Sequence, residues 1–310
     1  MSGDASNPLR STIRGTVKGV LTSLVVCAYT VIMMIPLTLV AVGKVLSPTR
    51  RIRDFFHRLL VGVVEIWSDC NNFMIWLYRG TKWDITIPDG LLHKGHYVVT
   101  CNHQSWIDIL ALQKCFNRRL PVLTFFLKHE LIYIPLLGFA WWALDYPFMR
   151  RYSREQVAKN PSLAGKDLER ARVACDRLRE IPFAMMSFPE GTRFSAEKRE
   201  KTGSPYRHLL KPKVGGIGVV LYALGDKLQS MIDVTVVYPV KNAEGRVPSF
   251  WDLLTGKVPE IIVHVREMDV PQHLLGRNFR NDRGIRRELE EWINGVWQEK
   301  DDLIERFEAS

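Results

Sequence analysis

Asn102-His103-Gln104-Ser105-Trp106-Ile107-Asp108 follows directly on the apolar run Tyr97–Cys101, and the apolar-periodic run Trp106–Phe116 continues from it. The first run is short and apolar, which predicts a strand, and the second has helical spacing. The heptad therefore reads as the turn of a strand–turn–helix unit. Residues five apart point about 140° away from each other in a helix and to opposite faces of a strand. His103 and Asp108 can meet only if His103 sits in the turn and Asp108 in the first turn of the helix. Ser105 is placed to cap that helix, and Ser105-Trp106-Ile107-Asp108 fits a capping box. Asp108 thus has two readings. It can satisfy backbone amides alone, or it can hold one ring nitrogen of His103, fixing the tautomer of a base that takes a proton from a hydroxyl.

The same alternation runs outward from this unit. Further strands are predicted at 83–87, 122–127, 183–188, 232–238 and 261–265, and further helices at 164–179, 215–224 and 284–307. Alternating strands and helices predict an α/β domain with a mixed sheet flanked by helices, over residues 81–310. Ala196–Lys213 reads as a polar, basic loop and Asn242–Ser249 as a turn-rich connection.

A second polar segment, Phe188-Pro189-Glu190-Gly191-Thr192-Arg193, closes the strand at 183–188 and turns at Gly191. Arg193 offers a planar fork for phosphate oxygens, with Glu190 placed to orient it or a substrate hydroxyl. Lys128, at the end of the strand at 122–127, and Arg151 are further candidate cations. Singly these residues read as surface charges; together they would make an anion-attracting cleft. Lys213-Val214-Gly215-Gly216-Ile217-Gly218 hints at a phosphate loop but is no Walker A, and glycine packing at a helix start is the preferred reading. A base beside a phosphate clamp suggests acyl or phosphoryl chemistry on a phosphorylated substrate.

The 310 residues carry a formal net charge of +10, with 46% hydrophobic and 25% charged residues. That describes a folded protein with anionic partners. Nucleic acid is disfavoured, because no zinc-finger spacing, helix-turn-helix signature or RNP pattern is present. Cys27, Cys70, Cys101, Cys115 and Cys175 lack any C-x-x-C spacing and read as free, buried thiols. There is no G-x-S-x-G elbow for a serine acyl-enzyme and no metal-ligand spacing. His93 and His96 read as solvated turn residues. No cofactor is expected.

Residues 1–80 differ in kind. Gly19 to Gly43 is uncharged and dominated by Val, Leu, Ile, Met and Ala. As a helix it would extend roughly 37 Å, enough for the ~30 Å hydrocarbon core. Pro36 could kink it into a hairpin that enters and leaves through one face. The flanking Lys and Arg residues favour the downstream side as cytoplasmic. From Ile52 to Leu77 apolar residues recur at helical spacing opposite Arg51, Asp54, Arg58, Glu65 and Asp69. This predicts a basic amphipathic helix between domain and lipid. The expected organisation is a membrane anchor over 1–80 and a cytoplasmic-facing domain over 81–310.

Four ordered blocks resemble the PlsC-like lysophosphatidic acid acyltransferase family. They are Asn102–Asp108, then Phe126–Leu131 with Ile134–Gly138 closing at Arg151, then Phe188–Arg193, then Val236-Val237-Tyr238-Pro239. The stretch Ala140–Arg154 and Trp297-Gln298-Glu299-Lys300-Asp301 resemble the bacterial YihG-type branch. The resemblance implies a glycerol-3-phosphate-acyltransferase-like α/β fold beside a membrane-embedded helical motif at a bacterial inner membrane. It implies direct transfer of a fatty acyl group from acyl-CoA or acyl carrier protein to the hydroxyl of 1-acyl-glycerol-3-phosphate. His103 would be the base and Asp108 its partner. Lys128, Arg151, Glu190, Gly191, Thr192 and Arg193 would contact phosphate and glycerol, while Asn102, Ser105, Pro189 and Pro239 would shape the motifs. Two alternatives stand beside this reading: another lysophospholipid or aminolipid acceptor, and a non-catalytic membrane adaptor on the same fold.

Overall fold

The computed structural model of the chain describes residues 8–77, 80–149, 166–242 and 244–309. Among them a six-stranded sheet runs in the order β1 (Lys82–Thr86), β8 (Glu260–Met268), β7 (Ser230–Val237), β2 (His96–Cys101), β6 (Phe183–Ser187), β3 (Leu123–Phe125). Every pairing is parallel except β7 with β8, so the sheet is mixed, as the alternation predicts. All eight residues of β7 are buried, as expected of a strand covered on both faces.

Strand alternation divides the core. Tyr97, Val99 and Cys101 of β2 join the cluster packed with α3 (Ile107–Phe116). Val98 faces the other cluster, with α5 (Lys166–Cys175), α7 (Gly215–Leu224) and α9 (Arg283–Ala309). Gly218 of α7 lies so close to Phe279 that an added Cβ would meet its ring at 2.8 Å, which supports the packing role read from the glycine run.

Some expectations need correction. The strand predicted at 122–127 is two strands, because the chain leaves the main sheet at Phe126 and β4 (Leu127–Lys128) pairs instead with β5 (Phe148–Met149). Helix α4 (Leu137–Ala143) was not predicted. The basic segment 196–213 opens with helix α6 (Ala196–Thr202), capped by Ser195 and ended by Gly203 at φ 59°. Its residues form no apolar stripe, so periodicity could not reveal it. His96 begins β2 rather than a turn, and the Nε2 of His93 lies 2.6 Å from Glu65 Oε1. Cys27 is exposed, unlike Cys101, Cys115 and Cys175.

Helix α1 (Pro8–Val45) runs through Pro36 without a break, so the hairpin is made elsewhere: the turn after Val45 joins α1 to α2 (Arg50–Leu77). The contacts Tyr29–Asn71, Thr30–Trp67 and Lys44–His57 set the two helices antiparallel. Gly15–Val45 is long and apolar enough to cross a membrane. Yet α1 meets the α/β domain near both ends. Gly19 packs on Trp251 and Thr255, at α8 (Phe250–Leu254) and its end, while Lys44 Nζ donates to Ala143 O of α4 at 2.6 Å. Those contacts lie ~37 Å apart along the helix. Between them Leu21, Leu24, Val31, Ile35, Leu39 and Val42 form an exposed stripe at helical spacing.

Candidate active site

β2 is flanked by two parallel neighbours, β6 and β7, so the segments that leave the three strands emerge at one edge of the sheet. Ligand sites in open α/β sheets lie in this crevice outside the strand ends. Here β2 delivers the heptad 102–108, β6 delivers Phe188–Arg193, and β7 delivers Tyr238 and Pro239.

His103 sits in the turn and Asp108 is the second residue of α3, the arrangement that the spacing required. His103 Nδ1 lies 2.8 Å from Asp108 Oδ2. The same oxygen accepts Gln104 N at 2.8 Å and Ser105 N at 2.9 Å, so Asp108 both satisfies the turn and holds the imidazole. The capping box is only half formed, because the helix is capped at Trp106 and Ser105 Oγ donates to Pro248 O at 2.7 Å. Ser105 thus ties the turn to a distant loop. Asn102 is buried and bridges strands: its side chain donates to Val236 O and accepts from Val236 N, both at 2.8 Å.

Two contributors were missed by sequence reasoning. Tyr238 is fully buried and its hydroxyl donates to Asp108 Oδ1 at 2.6 Å. Burial and the neighbouring Asp108 charge push the phenol well above its ordinary value, so it stays a donor. Phe188 stacks on the imidazole, with ring centroids 4.1 Å apart. The signal for both was their place at the ends of the strands flanking β2.

Glu190 corrects an expectation. Its Oε1 accepts His103 N and its Oε2 accepts Leu210 N, each at 2.8 Å, and it is 1% exposed. A carboxylate so engaged orients backbone, not Arg193 or an acceptor hydroxyl. Burial pushes it up to about 7, against the pull of the two amides. Asp301 of α9 holds the same loop by accepting Arg207 N at 2.8 Å and His208 N at 2.7 Å.

Gly191 takes φ 72°, as a sharp exit turn requires. Arg193 lies over the Trp106 ring, its guanidinium carbon 5.2 Å from the centroid, and Trp106 in turn packs edge-on to His103 at 6.5 Å. The indole therefore joins the cation to the base. Thr192 Oγ1 accepts Lys198 Nζ at 2.8 Å, and Lys213 N donates to Pro189 O at 2.8 Å with its ammonium beside Gly191. Lys198 carries no signal in the sequence, whereas Lys213 heads the glycine run weighed there as a phosphate loop. Lys128 is exposed on β4; Leu127 lines the cavity described below, and strand alternation turns Lys128 outward. Arg151 lies outside the described residues. Among the described residues no group of three His, Cys, Asp or Glu is placed to hold a metal ion.

His103, Trp106 and Phe188 also line a cavity of about 520 Å³. Its walls are largely apolar and come from α1, α2, α3 and α4, with Met34, Leu37, Val63, Leu112 and Ala140 among them. The base thus faces a space suited to a hydrocarbon chain, with cations beyond Trp106.

The chain is similar to 2-acyl-1-lysophosphatidylinositol acyltransferase of Saccharomyces cerevisiae, 28% identical over 253 residues, which cover 69% of this chain and 62% of that protein. Lysocardiolipin acyltransferase 1 of Gallus gallus is 26% identical over 258 residues, 79% of this chain and 62% of that one. 1-acyl-sn-glycerol-3-phosphate acyltransferase 3 of Arabidopsis thaliana is 26% identical over 282 residues, 82% and 66%. The chain therefore spans less than two thirds of the length of these relatives. The crystal structure of the 1-acyl-sn-glycerophosphate acyltransferase PlsC from Thermotoga maritima shares the fold, with a TM-score of 0.50 at 14% identity over 92% of this chain and 97% of that one. The family model described as Acyltransferase matches residues 82–240, which contain all four blocks, and the chain belongs to that family.

Proposed function

We propose that the chain is a membrane-associated O-acyltransferase that moves a fatty acyl group from a thioester to the free hydroxyl of a lysophospholipid, with 1-acyl-glycerol-3-phosphate as the first acceptor. The observation that carries this reading is the 2.8 Å pairing of His103 Nδ1 with Asp108 Oδ2 at the wall of an apolar cavity. With Nδ1 held by the carboxylate, Nε2 is the free base. It takes the acceptor's hydroxyl proton as the oxygen attacks the thioester carbonyl. A carbon–oxygen bond forms, the carbon–sulfur bond breaks, and the proton passes to the departing thiolate. Arg193, Lys198 and Lys213 supply positive charge for the acceptor phosphate, and Lys128 and Arg151 are kept as candidates for the same role. The donor is acyl-CoA or acyl carrier protein.

An unbroken apolar stripe along α1, which the domain touches near both ends, supports a helix lying in one leaflet with the site facing the cytoplasm. The resemblance of Ala140–Arg154 and Trp297–Asp301 favours the YihG-type branch and a bacterial inner membrane.

Purified chain given acyl-CoA and lysophosphatidate should release free thiol and form phosphatidate. A folded His103→Ala variant should lose about 10²–10⁴-fold in turnover. Undiminished turnover in that variant would remove the proposed base. The names of the yeast and chicken relatives favour a second reading, in which the acceptor carries a larger headgroup. A panel of lysophospholipids at equal concentration decides between the two by kcat/KM.

A further inference from the structure

Between the short 3₁₀ turn His129–Tyr133 and α4, the chain exposes large apolar side chains in succession. Tyr133 is 76% exposed, Ile134 37%, Leu136 53% and Leu137 44%, with Trp142 at 44% on the outer side of α4. Single exposed apolar residues are ordinary, but a contiguous group marks an interaction surface.

The backbone is built to present this group. Leu136 has φ 65° and ψ −55°, and Leu137 N donates to Pro135 O at 2.8 Å. Together these make a γ-turn of the rare, strained kind, with a leucine at its apex where glycine would sit without strain. The turn is locked from behind, because a Cβ on Gly138 would lie 2.2 Å from Ile132 O. Strain held in place by tight packing points to a use for the side chain that carries it.

Its position supplies the partner. The inner side of α4, Ala140, Ala143 and Leu144, packs on Leu37 and Ala41 of α1 and Leu60 of α2. Trp142 lines a recess of about 170 Å³ together with Val45 of α1 and the charged Lys44, Arg53, Asp145 and Arg177, which sets the indole at a polar edge of the apolar surface. Leu137 and Trp141 line the 520 Å³ cavity beside His103. Through Leu137 the exposed group adjoins α1, whose Met33 and Met34 line the same cavity, and leads to the cavity wall.

We propose that Tyr133–Leu137 and Trp142 form a second membrane-docking surface, a wedge that enters the same lipid leaflet as α1 and opens the cavity to chains arriving from the bilayer. The occupant is the lipid leaflet. The reason for lipid to arrive there rests on the acyl-transfer reading; the docking itself does not.

The test is photocrosslinking in the full chain, with p-benzoylphenylalanine in place of Leu136, reconstituted in vesicles of radiolabelled phosphatidylethanolamine and phosphatidylglycerol. Light should transfer lipid label to the protein at this position, as at Leu39 on α1, and not at Glu291 on the exposed side of α9. Label at Leu39 without label at Leu136 overturns the wedge while leaving the α1 anchor intact. Label at neither site, or crosslinking of Leu136 to a second copy of the chain, overturns it too. A second measurement uses Leu136→Gly, which relieves the γ-turn strain. It should leave the thermal midpoint in detergent equal or higher, yet lower turnover of a vesicle-borne long-chain acceptor about tenfold without affecting a short-chain acceptor in free solution. Equal loss on both acceptors would assign Leu136 to the site itself and refute the wedge, whereas absence of turnover in the unmodified chain would refute only the proposed reaction.

Discussion

Tyr238 donates its hydroxyl proton to Asp108 Oδ1 at 2.6 Å, so the carboxylate that holds His103 is itself held from the neighbouring strand. The arrangement follows from register: β7 lies parallel to β2, and the tyrosine just past β7 reaches the turn just past β2. A hydrogen bond to a charged group contributes about 1.5–3 kcal/mol. Tyr238→Phe keeps the ring in the core and removes only that donor. Asp108 retains two amides and the imidazole, so the expected result is a roughly tenfold fall in kcat with little change in acceptor KM, a change that corresponds to about 1.4 kcal/mol in the barrier. Steady-state thiol release on the folded variant measures it; an unchanged kcat would show that Tyr238 matters for packing alone.

Gly191 tests the geometry of the other segment. An alanine there would hold φ near 72°, which costs roughly 1–2 kcal/mol for a residue with a Cβ, and would press on the Lys213 ammonium at 3.1 Å. The lysine end can move, so the backbone dominates. Since Arg193 follows two residues later, the strain should loosen the cation more than the base. The expected outcome for Gly191→Ala is a rise of about fivefold or more in acceptor KM with kcat within about twofold, a split expected when binding shared by ground and transition states is lost. A fall in kcat at constant KM would place the turn in the chemical step instead.

Much of the fold and of the site is legible in the sequence. The α/β alternation and the H-x4-D turn were readable because each rests on local spacing: strand runs bounded by turns, and a pair of residues five apart that can meet in only one way. What escaped depended on partners far along the chain. Nothing in Phe188-Pro189-Glu190-Gly191-Thr192-Arg193 says that Glu190 will be 1% exposed with both oxygens on backbone amides, because Leu210 and His103 approach it only in the fold. Tyr238 lies within a motif, but only the register of β7 against β2 brings it to Asp108. Helix α6 was hidden because a solvated helix has no apolar stripe; its caps, Ser195 and Gly203, were the only local signals.

The carboxy-terminal helix offers a stability test. Lys300 is fully buried, and its ammonium lies 2.9 Å from the equally buried Asp233 Oδ1 while also reaching Thr235 Oγ1 at 3.2 Å. Asp233 keeps Thr100 Oγ1 and Arg266 Nε when the lysine is removed. Breaking one side of a buried pair typically costs about 3–5 kcal/mol when the other charge is left alone. Arg266 stays on Asp233, so Lys300→Met should lower the thermal midpoint by less than that range implies, whereas Lys300→Met with Asp233→Asn also strips Arg266 and should lower it further. Recovery of stability in the double variant would show that Lys300 and Asp233 form a pair independent of Arg266.

Glu190 gives a pH dependence whose sign is fixed by its burial. Its carboxyl is pushed from 4.5 up to about 7 in the folded chain. Between those values the folded chain keeps a proton that the unfolded chain has released. Stability from this group is thus complete below about pH 4.5 and is lost as pH rises through 7. The loss is roughly 3 kcal/mol, at ~1.4 kcal/mol per pKa unit. Glu190→Gln removes the titration, although its amide can satisfy only one of the two backbone N–H groups that face it. The variant should match the unmodified chain near pH 5, where Glu190 is a neutral acid with the same single good acceptor, and should become the more stable of the two as pH rises to 8. Thermal midpoints in detergent at several pH values measure both slopes, and parallel slopes would mean that Glu190 is ionised across the whole range, with its two amides outweighing the cost of burial.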